Sequence, residues 1–146
     1  MRGPVIAAMA AALGCLLSAS ARPAVADSPI AAFVWNDSGG RVLAYRIRAM
    51  KLRQEGTRLE FHGACASACT LYLALPSRQL CITRNVSFRF HAPYGASESG
   101  NAVAAAYMMK LYPPWVKSWL LENGGLSPQI QIMNYSYARQ YMKTCG

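Results

Sequence analysis

Between Ile30 and His91 the apolar residues change period from strand to helix and back: strand, helix, strand, helix, strand. A chain that alternates in this way, over segments too long for hairpin turns, is driven to an α/β unit with parallel pairing. Ile30 to Trp35 is a short apolar run closed by Asp37-Ser38-Gly39-Gly40, as a buried strand before a tight turn requires. From Arg41 to Gln54 the residues Val42, Tyr45, Ala49 and Leu52 recur at helical spacing, with Leu43, Ile47 and Met50 widening the stripe, and Gly56 stops the pattern. Arg58-Leu59-Glu60-Phe61-His62 alternates as a half-buried strand does. Ala66 to Leu75 reads as a buried helix ended by Pro76, and two short strands near Leu80 to Thr83 and Val86 to Phe90 follow. Beyond His91, the Gly- and Ser-rich Ala92 to Asn101 reads as a loop. Asn101 to Tyr112, Pro114 to Asn123 and Ser127 to Met142 read as helices, the second with proline at its start.

Ligands in such folds lie beyond the carboxyl ends of the strands. Three chemically suggestive elements fall there. Gly63-Ala64-Cys65-Ala66-Ser67-Ala68-Cys69-Thr70 is a small-residue elbow that leaves a serine hydroxyl accessible, Gly39-Gly40 closes an earlier strand, and His91 ends a later one. Each residue also has a plainer reading: Ser67 as a small residue in a crowded elbow, His91 as a turn histidine, Gly39-Gly40 as a turn alone. The argument for function is their shared position.

The amino terminus carries Arg2, an apolar stretch from Val5 to Leu17 and Ala24-Val25-Ala26, the pattern of a signal peptide over residues 1–26 cut before Asp27. A lipoprotein site at Leu13-Gly14-Cys15 is disfavoured because Ala12 occupies the place of a large aliphatic residue. No later segment approaches the ~20 apolar residues of a membrane span. The expectation is a periplasmic or secreted protein whose residues 27–146 form one domain. Without Arg2 and Arg22, thirteen basic residues face six acidic ones. Six of the cations cluster between Arg41 and Arg58, where they read as a solvated helix face, so no nucleic-acid partner is expected.

Export makes Cys65, Cys69, Cys81 and Cys145 disulfide candidates with three pairings open. Cys65 with Cys69 and Cys81 with Cys145 would tie the tail to the core, while pairing of either elbow cysteine with Cys81 is nearly as good. Zinc on His62, Cys65, Cys69 and His91 or Cys81 fits no common ligand spacing, so no metal is expected. No glycine-rich phosphate loop is present and no cofactor is expected; Met108-Met109 and the aromatics around them read as packing.

Asp-Ser-Gly-Gly (37–40), a helix, a strand, Gly-x-x-x-Ser-x (63–68), a second helix and Phe-His-x-Pro (90–93) together resemble the proteolytic subunit of the Clp protease and the Clp/crotonase superfamily. Cys-Ala-Ser-Ala-Cys-Thr in an exported chain is similar to small, uncharacterised periplasmic Clp-like proteins. The resemblance covers roughly Ile30 to Pro93. It implies a minimal Clp/crotonase-type core of repeated β-α units, a mainly parallel sheet and C-terminal helices. It implies also a serine hydrolase of peptide or other acyl bonds, with Ser67 as nucleophile, His91 as general base, and the Gly40 and Ala68 N–H groups as oxyanion hole. The family's aspartate has no counterpart, since no Asp follows His91; its place falls near Asn134, the candidate third member. The alternative is a non-catalytic binding or assembly module with an envelope partner. Homo-oligomers occur in the family and are a further expectation.

Overall fold

The computed structural model describes residues 31–146. The leader read over residues 1–26, Cys15, and the start of the mature chain at Asp27 lie outside them.

Strand β1 (Ala31–Asp37) leads into helix α1 (Val42–Glu55), then β2 (Arg58–Ala66), a 3-10 helix (Ser67–Ala74), a 3-10 turn (Ser77–Gln79), β3 (Leu80–Ile82) and β4 (Ser87–Phe90). Helices α2 (Glu98–Leu111) and α3 (Pro114–Glu122) follow. Strand β5 (Gln131–Asn134), the short helix α4 (Tyr135–Ala138) and strand β6 (Lys143–Thr144) complete the described chain.

The sheet is organised around β2. Along one edge β1 runs parallel to it from Ala31 opposite Arg58 to Asp37 opposite Cys65. Along the other, β3 pairs with Leu59 to Phe61 and β4 takes over at Ala64 to Ala66, both parallel. Strand β6 adds parallel to β3, and β5 adds antiparallel to β4. The fold class is therefore α/β with a mainly parallel sheet, as the alternation predicts. The antiparallel β5 departs from repeated β-α units.

The pleat explains which face is covered. Leu59, Phe61 and Cys65 of β2 are buried, while Arg58, Glu60 and His62 take the opposite face. Phe61 meets Phe88 edge-on at 5.1 Å, and Phe90 packs on Tyr112 and Trp119 at 5.7 and 5.6 Å, which holds α2 and α3 to the sheet. The apolar stripe of α1 is narrower than its sequence predicts: Tyr45 and Ala49 are buried, whereas Leu43, Ile47 and Met50 face outward. Gly56 ends the helix in the left-handed region, with its N–H returned to the last turn.

Three sequence expectations are corrected. Strand β2 does not stop at His62 but runs on to Ala66, because Gly63, at φ +81, and Asn36, at φ 47, accommodate a bulge across β1 and β2. There Asn36 Oδ1 accepts the Ala64 N–H at 2.9 Å. The segment after Ser67 is 3-10 rather than α-helical. Ser127 to Met142 is not one helix, since Gln131–Asn134 is taken up by the free edge of β4.

Candidate functional site

Gly39-Gly40 follows β1, Ser67 follows β2 and His91 follows β4, and these strands are mutually parallel through β2. All three elements therefore emerge at one end of the sheet. Ser67 sits where β2 breaks into the 3-10 helix, half-buried, with φ +54. A left-handed serine costs about 1–3 kcal/mol and persists only where its surroundings enforce it. Two constraints do so here. The Cys65–Cys69 disulfide spans the serine, and Thr70 Oγ1 donates to the Ser67 carbonyl at 2.6 Å. Because that hydroxyl has a single proton, its 2.6 Å contact with Tyr112 must be one in which Tyr112 donates. Buried Tyr112, the residue that follows α2, thus steadies the serine backbone through Thr70. Burial also pushes the Tyr112 hydroxyl above the ordinary tyrosine range.

The Gly39-Gly40 turn forms the opposite wall. Asp37 Oδ1 accepts both the Gly39 N–H at 2.8 Å and the Tyr45 hydroxyl at 2.6 Å, pinning the turn to α1. Burial, reinforced by the Asp37 carboxylate, pushes the Tyr45 hydroxyl up to about 12. Gly39 has φ +85 and lies so close to the elbow that a Cβ there would stand 2.7 Å from Ser67 Cβ and 2.9 Å from Ala68 N. The Gly40 N–H has no hydrogen-bond partner among the described residues. Ala68, in the first turn of the 3-10 helix, lacks an intrahelical acceptor. A cavity of about 550 Å³ opens between this turn, Ser67, Pro93-Tyr94 and α2. Among the described residues Arg41 is the only charged one in its wall.

His91 is half-buried and lines a neighbouring cavity of about 430 Å³ with Pro93, Tyr94, Pro128 and Ile130. The two cavities share the Pro93-Tyr94 segment. No hydrogen bond joins Ser67 to His91 among the described residues. Instead His91 Nδ1 lies 2.8 Å from the Ala92 carbonyl, which can only accept, so Nδ1 is the donor of this bond and in the neutral imidazole the lone pair falls on Nε2. The hydrogen-bond partner of His91 is thus a backbone carbonyl and not Asn134.

Asn134 itself is elsewhere. It pairs with Ser87, four residues before His91, or about 13 Å along the strand. Its Oδ1 caps α4 by accepting the Tyr137 N–H at 3.1 Å. The β5 register brings Ile130, not Asn134, toward His91.

The cysteines pair as Cys65–Cys69 and Cys81–Cys145, one of the three pairings open in the sequence. With their sulfurs joined, none can offer a thiolate to a metal. Glu60, Cys81 and Cys145 converge within 4.8 Å, but two of those three donors are one disulfide. His62 stacks on Trp35 at 4.3 Å, and its Nε2, 3.5 Å from Glu60 Oε2, makes no hydrogen bond among the described residues. The Thr70 hydroxyl, Tyr112 and the Ala92 carbonyl are the supporting groups the sequence reading missed, whereas Gly39 was legible there as half of the Gly39-Gly40 turn.

The fold defined by these elements is Clp-like. It is similar to a solved mutant of ClpP1 from Listeria monocytogenes at 16% identity over 77% of this chain and 69% of that one, with a TM-score of 0.51. No family model and no curated protein matches the sequence. Among the described residues no helix is long and apolar enough to cross a membrane.

Proposed function

We propose that residues 27–146 form an exported serine hydrolase acting on a peptide or other acyl bond, with Ser67 as nucleophile and His91 as general base. The observation that carries this reading is Ser67 itself: a left-handed serine at a strand-to-helix break, its Oγ without a hydrogen-bond partner among the described residues, facing a cavity beside two uncommitted N–H groups. In the proposed reaction Ser67 Oγ attacks the carbonyl carbon and its proton passes to His91 Nε2. The resulting oxyanion is held by the N–H groups of Gly40 and Ala68, each such donor being worth about 3–4 kcal/mol in hydrolases of this type. The leaving group takes the proton from His91, and water then releases the acyl group by the reverse sequence.

Transfer to His91 requires its ring to reach Ser67 past the Pro93-Tyr94 segment that parts the two cavities. Ala92 would orient the imidazole without the negative charge that stabilises an imidazolium, so turnover is expected to be low relative to a complete triad. The two disulfides support an oxidising compartment and hence the periplasmic or secreted location.

The test is labelling of the oxidised mature protein with a fluorophosphonate, comparing wild type with Ser67→Ala and His91→Ala. Labelling of the wild type alone supports the reading. Absence of labelling, with the circular dichroism spectrum intact, moves the protein to the binding or assembly reading.

A further inference from the structure

A further cavity lies away from this site, about 840 Å³ between the β3–β4 turn, the 3-10 turn and the C-terminal segment. We propose that it binds a ligand carrying two or more phosphate groups. Arg78, Arg84 and the C-terminal pair Arg139 and Lys143, from three stretches of chain, line it, and among the described residues no Asp or Glu does. Among the described residues none of the four forms an ion pair, the Lys and Arg pairs being Lys51–Glu55 and Arg58–Glu60.

Four uncompensated cations on a convex surface would be an ordinary solvated face. Here the four exposed side chains line one open groove, where their positive fields add and a bound anion relieves their mutual repulsion. A single carboxylate balances only one of them. Two phosphates bring roughly three to four negative charges, and three of the four cations are arginines, whose forked donors match phosphate oxygens. The cavity is far larger than one phosphate and falls within the range of about 300–1,000 Å³ typical of small-molecule sites.

The frame around it is fixed. The Cys81–Cys145 disulfide and the β3–β6 ladder hold the strand bearing Lys143, and the Cys145 N–H donates to Ile82 O at 3.0 Å. Tyr135 and Thr144 meet hydroxyl to hydroxyl at 3.0 Å, and the Arg139 guanidinium lies 5.9 Å over the Tyr135 ring.

The experiment is calorimetric titration of the oxidised protein with tripolyphosphate, alongside co-sedimentation with phosphatidylglycerol vesicles. Wild type is compared with Arg84→Gln/Arg139→Gln and with a charge-matched control outside the cavity, Arg53→Gln/Lys110→Gln, each folded by circular dichroism. One tripolyphosphate bound per chain, weakened at least about tenfold in the cavity pair and unchanged in the control, supports a soluble ligand. Vesicle binding alone, lost only in the cavity pair, supports the same site with the phosphates borne by lipid. No binding to either probe, or equal weakening in both variants, overturns the proposal, the second outcome reducing it to net charge.

Discussion

Gly39 and Ser67 are packed backbone to backbone: a Cβ on the glycine would stand 2.7 Å from Ser67 Cβ and 2.5 Å from the Ala66 carbonyl oxygen. Gly39→Ala must therefore bear both a left-handed alanine and a clash against main chain that cannot swing aside. The expected cost is about 2–4 kcal/mol, with distortion of the Ser67 elbow. Gly56→Ala is the matched control. It has φ +67 and nothing within 4 Å of the added carbon, so only the backbone penalty of about 1 kcal/mol remains. Urea denaturation of the two variants checks the difference. Equal losses would mean that the Gly39 contact is not tight.

The elements that organise this site were legible because their signals are local. The alternation in Arg58 to His62, the spacing of Tyr45 and Ala49, and Gly56 each encode structure within a few residues. What failed depends on distant chain. The apolar residues between Ile130 and Met142 mimic helical spacing, yet Gln131–Asn134 becomes a strand because β4 offers an edge. Ser67–Ala74 is buried nearly all round, and a segment without a polar face gives periodicity nothing to distinguish 3-10 from α. The start of α2 was missed although Ser97 is a proper cap, accepting the Gly100 N–H at 3.2 Å. The group orienting His91 is a backbone carbonyl, which no residue type reveals.

Tyr112, Thr70 and the Ser67 carbonyl form a directed chain of hydrogen bonds, each 2.6 Å long. Thr70→Val keeps the shape but leaves the Tyr112 hydroxyl, fully buried, without its acceptor and the Ser67 carbonyl without its donor. A loss of about 2–3 kcal/mol is expected. Tyr112→Phe removes the outer donor while Thr70 keeps its bond to Ser67, and should cost only about 1 kcal/mol. Chemical denaturation gives both values, and the reverse order would contradict the direction assigned to the chain.

Alkaline stability should report on Tyr45. Its pKa is raised from 10.0 to about 12 in the fold, so the folded state favours the protonated hydroxyl. The sign follows: the contribution is complete below pH 10 and is lost as pH rises through about 12. Tyr112, raised in the same sense by burial, adds to the loss. The urea midpoint should accordingly fall across this window, and Tyr45→Phe should flatten part of the fall while lowering stability at neutral pH by about 1 kcal/mol through the lost bond to Asp37. An unchanged slope in the variant would place the titration elsewhere.

The two disulfides should separate stability from the chemistry of the elbow. Cys81–Cys145 closes a separation of 64 residues and Cys65–Cys69 one of 4. On a chain-entropy basis the first contributes about 4 kcal/mol and the second about 2 kcal/mol. Cys81→Ser/Cys145→Ser should therefore lower the urea midpoint more, while fluorophosphonate labelling of the fraction still folded continues. Cys65→Ser/Cys69→Ser should do the reverse: a smaller loss of stability, but reduced labelling, because the covalent link that holds Ser67 in its left-handed conformation is gone. Thermal and urea melts of each pair, followed by labelling under folding conditions, distinguish the two roles. Undiminished labelling in the elbow pair would mean that Gly39 and Thr70 hold the serine without help from the disulfide.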